Sequence, residues 1–155
     1  MVILKISGVK NRDLGKIINL EQEVFKKNAF PKQLIKKLME KHQFFLKLEK
    51  GQLIRELIGF IIVLNDGKEK VNIVNFLIKP NRQNKGYGSY LLQETINKIK
   101  KLKIIKKIIL NVQISNLKAI KMYEKFNFKR NPTILEDYYQ SGESGYLMEL
   151  DINSS

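Results

Sequence analysis

Residues 83–88 of this chain read Gln-Asn-Lys-Gly-Tyr-Gly, between the strand-like apolar run Ile73–Ile78 and a helix-like stretch that begins near Ser89. Glycines at a strand-to-helix turn let the backbone fold tightly, and the first helical amides then point outward without intrahelical partners. Such a turn holds an anion, most often a phosphate. The same six residues also suit an ordinary loop or helix cap, so the rest of the chain has to decide.

The surrounding elements follow from periodicity. Val2–Ile6 reads as a strand, and Asn11 or Asp13 can cap a helix whose apolar positions Leu14, Ile17, Ile18, Leu20, Val24 and Phe25 recur at helical spacing. Phe30-Pro31 breaks the chain and permits a second helix, amphipathic through Leu34 and Leu38 and ending near His42. Phe44–Glu49 and Leu53–Leu64 read as strands around Lys50-Gly51, and Asn65-Asp66-Gly67 turns into a third strand over Val71–Ile78. Beyond the glycine turn, Tyr90, Leu91, Ile96 and Ile99 stripe a helix, and Ile104–Val112 returns as a strand, a βαβ crossover. Asn116 can cap a last helix carrying Ala119, Ile120, Tyr123 and Phe126 on one face, and strands at Lys129–Leu135 and Gly145–Ile152 follow. The expected fold is α+β, a mixed and mostly antiparallel central sheet flanked by helices, in a single domain over residues 1–155.

Composition narrows the chemistry. The chain has no cysteine, which removes disulfides, thiolate metal sites and a cysteine nucleophile, and its one histidine makes no metal site expected. No apolar run approaches the length of a membrane span, and the N-terminus lacks a secretory pattern, so a soluble cytoplasmic protein with no membrane partner is expected. A net charge of +14 favours a polyanionic neighbour: nucleic acid, ribosome or a phosphorylated cofactor. No aromatic RNA-binding motif or repeated finger accompanies the charge, so no specific nucleic-acid partner is expected. The lysine run from Lys98 to Lys107 reads as a solvated face, with ribosome docking as its sharper alternative.

The segment Ile78-Lys79-Pro80-Asn81-Arg82-Gln83-Asn84-Lys85-Gly86-Tyr87-Gly88 resembles motif A of the GNAT N-acetyltransferases, Gln/Arg-x-x-Gly-x-Gly/Ala. A second signature is more specific. Asn111-Val112-Gln113-Ile114-Ser115-Asn116, with Ala119-Ile120 and Tyr123-Glu124-Lys125-Phe126-Asn127-Phe128, resembles the Ser-Asn…Ala-Ile…Tyr-x-x-x-Gly-Phe pattern of that family. Asn127 replaces the usual glycine, and asparagine is the commonest other residue able to take the left-handed conformation at a helix C-terminus. Within the family, Val112–Asn116, Tyr138-Tyr139 and Phe30-Pro31 are most similar to the protein N-α-acetyltransferases of the NatE and RimI kind.

The resemblance implies acetyl-CoA as donor, its pantetheine along the split strand at Phe76, Leu77 and Ile78 and its pyrophosphate on the turn Gln83, Asn84, Lys85, Gly86, Tyr87, Gly88 and Ser89. Arg82 or Lys85 can approach a phosphate, and Asn116 matches a cofactor-contacting position while also suiting a helix N-cap. Tyr123 matches the tyrosine beside the cofactor sulfur, where a phenol can donate a proton to the departing thiolate; its plainer reading is a core tyrosine. Phe30, Pro31, Val74, Tyr138 and Tyr139 are the implied acceptor walls, although a Phe-Pro pair and a tyrosine pair also serve simple packing.

The two positions where relatives carry catalytic tyrosine, histidine or glutamate are Asn72 and Asn111 here. An amide cannot take a proton at neutral pH, though it can hold a water or orient an amine. An α-amine of pKa about 8 has about a tenth of its molecules neutral at pH 7, whereas lysine at about 10.4 has less than about a thousandth. Missing a base therefore favours α-amine acceptors, with water, Glu136 or Asp137 as proton sink. The expected acceptor is a protein or peptide N-terminus. Lysine or small-amine transfer, and a weakly active cofactor-binding subunit of a NatA-like or ribosome-associated assembly, are the rivals.

Overall fold

The computed structural model describes residues 3–152; Val2, placed by the sequence in the first strand, and Asn153–Ser155 lie outside the described residues. In chain order the elements are β1 (Leu4–Gly8), α1 (Leu14–Phe25), α2 (Lys32–Glu40), β2 (Phe44–Lys50), β3 (Glu56–Asn65), β4 (Lys70–Ile78), α3 (Tyr87–Lys100), β5 (Lys107–Gln113), α4 (Leu117–Lys125), β6 (Lys129–Leu135) and β7 (Gly145–Asp151). One seven-stranded sheet has the order β1-β2-β3-β4-β5-β7-β6, and only β4 and β5 run parallel. This is the mixed, mostly antiparallel sheet that the periodicities predict.

Alternation along the strands feeds two cores. On β3, Ile58, Ile61 and Val63 face a core with Leu91, Leu92, Ile96 and Ile99 of α3 and Ile120 and Tyr123 of α4. Phe60 and Ile62 face the other, with Ile17 and Leu20 of α1 and Ile35 and Leu38 of α2. The helices thus cover the sheet on opposite faces.

Several features depart from the sequence reading: β1 runs on to Gly8, past the expected end at Ile6, and α3 begins at Tyr87, ahead of the expected Ser89. The strand expected from Leu53 begins at Glu56, and Leu53 and Ile54 are exposed. Gly51, at φ +123, lets the Ile54 carbonyl fold against its α-carbon, so residues 51–55 form a tight connection instead of extending the strand. The strand expected from Ile104 begins at Lys107, after Lys103 takes a positive φ of 63°. Neither Asn11 nor Asp13 caps α1 by a side-chain bond. A short 3₁₀ turn over Asn11–Asp13 leads in, and the Asp13 carboxylate accepts the Lys10 amide (2.7 Å) and the Lys47 ammonium (2.9 Å).

Lys47 is buried on β2 between Asp13 and Glu49, at 2.9 and 3.3 Å, and joins the start of α1 to the sheet. His42 closes α2 as a local cap, its ring nitrogen 2.6 Å from the Leu38 carbonyl and its edge on Phe45. No helix among the described residues is long and apolar enough to cross a membrane.

Burial raises the Asp13 carboxyl, and the Lys10 amide and Lys47 more than offset it, so its pKa lies below the ordinary 3.8. A depressed carboxylate contributes stability above its unfolded pKa and loses it as pH falls through the folded one. Asp13→Ala is expected to cost about 1–3 kcal/mol in urea unfolding at pH 7, because it leaves a buried lysine with one partner. The wild-type advantage should shrink as pH drops below 3.8.

Candidate active site

The turn after β4 is built to present amides. Gly86 caps α3 at φ +84, and the first bond back into the turn runs from Tyr90 N–H to the Gly86 carbonyl at 3.0 Å. Tyr87, Gly88 and Ser89 thus point three amides outward at the positive end of a 14-residue helix, with no capping side chain. Asn84 adds a second left-handed residue at φ 63°, and Gln83 donates its side-chain amide to the Ile78 carbonyl at 3.0 Å, pinning the turn to β4. Of the two cations expected near a phosphate, Arg82 is committed instead to Glu56 through a bidentate fork of 2.8 and 2.9 Å. That fork holds the Glu56 carboxyl below its usual range. Lys85 is exposed and has no ion pair among the described residues.

Beside the turn the sheet splits. β4 and β5 pair through only four residues, Lys70↔Lys107 to Ile73↔Leu110. From Asn75 to Ile78, β4 is held by β3 alone, and from Asn111 to Gln113, β5 is held by β7 alone. A bulge sits at the fork: Ile62 pairs Asn75 and Val63 pairs Ile73, leaving Val74 without a partner on β3. The β5-facing edge of β4 therefore carries open backbone donors and acceptors, a place for an extended chain with amides of its own. The Leu77 side chain is buried in the α1/α2 core, so only its backbone faces the split, whereas Phe76 packs on the α3/α4 side.

A pocket runs through the split from one face of the sheet to the other. Val112, Asn116, Phe76 and Tyr123 line it on the α3/α4 side, and Phe25, Phe30, Val74 and Glu21 on the α1 side. Asn111 and Tyr139 also line it, while Pro31, Asn72, Glu136, Asp137 and Tyr138 do not. Asn72 sits half-buried on the paired part of β4, opposite Leu64 and Ile109, away from the fork. Glu136 and Asp137 are exposed. Pro31 is exposed and starts α2, its carbonyl accepting the amides of Leu34 and Ile35.

Tyr123 is positioned by the end of its own helix. Phe128 N–H bonds the Tyr123 carbonyl and Asn127 N–H the Glu124 carbonyl, both at 3.0 Å, with Asn127 at φ 73° and the Phe128 ring 5.7 Å from that of Tyr123. This is a Schellman ending with its hydrophobic contact, and asparagine serves in the glycine position as expected. At the other end Asn116 caps α4, its side-chain oxygen accepting the Ala119 amide at 3.3 Å. The Tyr123 hydroxyl has no hydrogen bond within the described residues, yet none of their fully buried side-chain polar atoms lacks a partner, so it opens to the pocket. Burial raises the Tyr123 pKa and, with Tyr138 and Glu143 nearby, pushes Tyr139 up to about 12. Both phenols keep their protons at neutral pH.

On the α1 side Asn111 donates its amide to the Tyr138 hydroxyl at 2.9 Å, and Tyr138 meets Tyr139 edge-on at 5.0 Å. The Asn28 side chain accepts the Ser141 amide at 2.9 Å, joining the α1–α2 connection to the β6–β7 loop. Sequence reasoning missed Glu21, the pocket's only carboxylate, which is 1% exposed. Its inward place was legible in the α1 spacing with Ile17, Leu20 and Val24. Burial raises its pKa, opposed by hydrogen bonds from the Phe30 amide and Asn75.

Residues 14–128 match the model of the acetyltransferase (GNAT) family. An N-alpha-acetyltransferase of Saccharolobus solfataricus is 35% identical over 79 residues, 51% of this chain and 47% of that protein, so the chain spans about half the length of this relative. The [ribosomal protein bS18]-alanine N-acetyltransferase of Escherichia coli is 26% identical over 154 residues, covering 96% of this chain and 97% of that one. Among solved structures, Ard1 from Thermoplasma volcanium superposes with a TM-score of 0.86 at 18% identity, covering 97% of this chain and 98% of the other.

The amide cradle leads to a measurable expectation. A Cβ at Gly86 meets nothing within 4 Å, so Gly86→Ala acts only through the left-handed φ of 84°. That strain, about 1–2 kcal/mol, relaxes the free turn and must be restored on binding. Coenzyme A affinity by calorimetry should fall about 5- to 30-fold.

Proposed function

This chain belongs to the GNAT acetyltransferase family, and we propose that it transfers the acetyl group of acetyl-CoA to the α-amine of protein N-termini. The observation that carries the reading is the through-sheet pocket, which holds a protonated phenol on one side and no free base on the other. Three donor-side features fit acetyl-CoA: the outward amides at Tyr87–Ser89, exposed Lys85, and the unpaired edge of β4 that suits the pantetheine amides. Acetyl-CoA supplies the activated acetyl thioester. Asn116 and Gln83–Ser89 are the residues assigned to its binding, with the backbone of Phe76–Ile78.

Acyl transfer to an amine needs a neutral nucleophile, a donor for the oxygen where charge builds, and a proton for the thiolate. Tyr123 is assigned the proton, since its raised pKa keeps the phenol protonated and its hydroxyl opens to the pocket. Backbone amides on the split edge of β4 are the donors available to the oxygen. No pocket residue is suited to strip a proton from the amine. Asn111 is an amide bonded to Tyr138, His42 caps α2 elsewhere, and the Glu21 carboxylate is 1% exposed with its two oxygens turned to the Phe30 amide and the Asn75 side chain. The acceptor must therefore arrive neutral, which favours an α-amine over lysine by about two orders of magnitude in neutral fraction at pH 7. Water takes the proton.

Phe30, Val74 and Tyr139 form the acceptor side, with Tyr138 oriented through Asn111. This chemistry suits the cytoplasm, and the net charge of +14 suits work beside polyanionic assemblies such as the ribosome.

Peptides with free N-termini and peptides with blocked N-termini but free lysines separate the acceptors; transfer confined to the blocked, lysine-bearing set would sink the reading. Tyr123→Phe is expected to lower kcat by about 10²-fold or more while coenzyme A affinity holds within about threefold. Wild-type kcat/KM should climb with pH to a plateau near the amine pKa of about 8. No descending limb from Tyr123 should appear below about pH 10, because its raised pKa delays ionisation beyond the ordinary tyrosine value.

A further inference from the structure

Glu21 is expensive to bury, and neither the family signatures nor the transfer chemistry uses it. It is 1% exposed, on the inward face of α1, against the apolar cluster that contains Leu20, Phe25 and Val74. Its Oε2 accepts the Phe30 amide at 2.8 Å and its Oε1 the Asn75 side-chain amide at 2.6 Å. Asn75 is itself buried and directly follows Val74, the residue bulged out of register at the fork of β4. One carboxylate thus ties the α1–α2 connection, nine residues along the chain, to the bulged strand, 54 residues away.

We propose that Glu21 is a positioning residue of the acceptor site, fixing the Phe30 main chain and the Asn75 side chain as one wall opposite the split. The proposal rests on the assignment of the Phe30 side of the pocket to the acceptor. Phe30 opens no regular element of its own: it follows the 3₁₀ turn Lys26–Asn28 and precedes α2. Its amide has no partner in a helix or strand, so the carboxylate alone holds that point of the connection. Val74, without a partner on β3, depends likewise on its neighbour Asn75 to set its direction. A carboxylate accepts two in-plane donors from different directions at once, which an apolar residue of the same size cannot. The coenzyme A cradle at Gly86–Ser89 shares none of these bonds and should not register their loss.

The test compares Glu21→Ala with Glu21→Gln in the full chain, reading acceptor KM, kcat, coenzyme A affinity and hydrogen exchange at the Phe30 amide. Glutamine can still accept the Phe30 amide through Oε1 and donate to Asn75 once that amide turns over, so it preserves the tie without the charge. For Glu21→Ala we expect acceptor KM to rise about tenfold or more, with kcat and coenzyme A affinity within about threefold. The Phe30 amide should lose protection. Glu21→Gln should keep KM within about threefold of wild type. Asn75→Ala serves where Glu21→Ala fails to fold, and it should raise acceptor KM in the same sense.

Two results overturn the proposal. One is an unchanged acceptor KM in Glu21→Ala or Asn75→Ala. The other is a Glu21→Gln enzyme that folds and binds coenzyme A but loses kcat by about 10²-fold, which would make the carboxylate a proton acceptor. Failure of the N-terminal assignment reads differently: wild type then ignores free-N-terminal peptides, and the KM comparison is made with the amine it does use.

Discussion

The short parallel pairing of β4 with β5 governs the rest of the molecule. A continuous sheet would bury its backbone in ladder bonds and separate the two helical layers completely. Here four paired residues hold the strands together at one end, and the bulge at Val74 turns β4 away at the other. The gap gives the chain two things at once: an unpaired edge able to bond an extended amide-bearing ligand, and a passage between faces. A residue on α4 and a residue on α1 can then line the same pocket, although they belong to different cores.

Such a gap weakens a sheet unless its margins are held from outside, and each margin has its own fastening. The far end of β4 is fixed by Gln83 on the Ile78 carbonyl. The bulge is fixed by Asn75 on Glu21. On the β5 side, Asn111 is bonded to Tyr138 and Val112 pairs with Tyr146 of β7. Asn28 and Ser141 connect the two loops that flank the α1 side. These side-chain bonds, each contributing about 1 kcal/mol, hold the margins in place and leave the facing backbone edges of β4 and β5 unpaired.

What could be read from the sequence was local. The glycine turn, Asn116 as a cap, and the Tyr123–Asn127–Phe128 ending all concern residues within one turn of one another. Spacing alone carries their geometry; the Schellman bonds from Asn127 and Phe128 show why a tyrosine precedes that pair by a fixed interval. The mixed character of the sheet followed from periodicity and the crossover, whereas the insertion of β7 between β5 and β6 did not. Hidden from sequence were partners set by tertiary contact: Glu21 with Asn75, Arg82 with Glu56, Asn111 with Tyr138. Arg82 is the instructive case, since proximity to the glycine turn suggested a phosphate contact, and the structure pairs it with Glu56 of β3. At residues 51–55 the apolar pair Leu53-Ile54 imitated a strand, and a positive φ at Gly51 outweighed it.

Asparagine at both family base positions looks like a loss of function when those positions are considered alone. The pocket gives it a different meaning. The Asn111 amide is donated to Tyr138 beside the pocket, and in the proposed reading it orients that wall, a task an amide performs without changing charge between about pH 5 and 9. A histidine there would titrate near pH 6.5 and couple that wall to its own protonation. Dispensing with a base costs little when the nucleophile is an amine already about a tenth neutral, and it costs lysine transfer about a hundredfold more. Selectivity for α-amines can therefore arise from a missing proton acceptor as well as from pocket shape, and it does so without any contact that recognises the peptide.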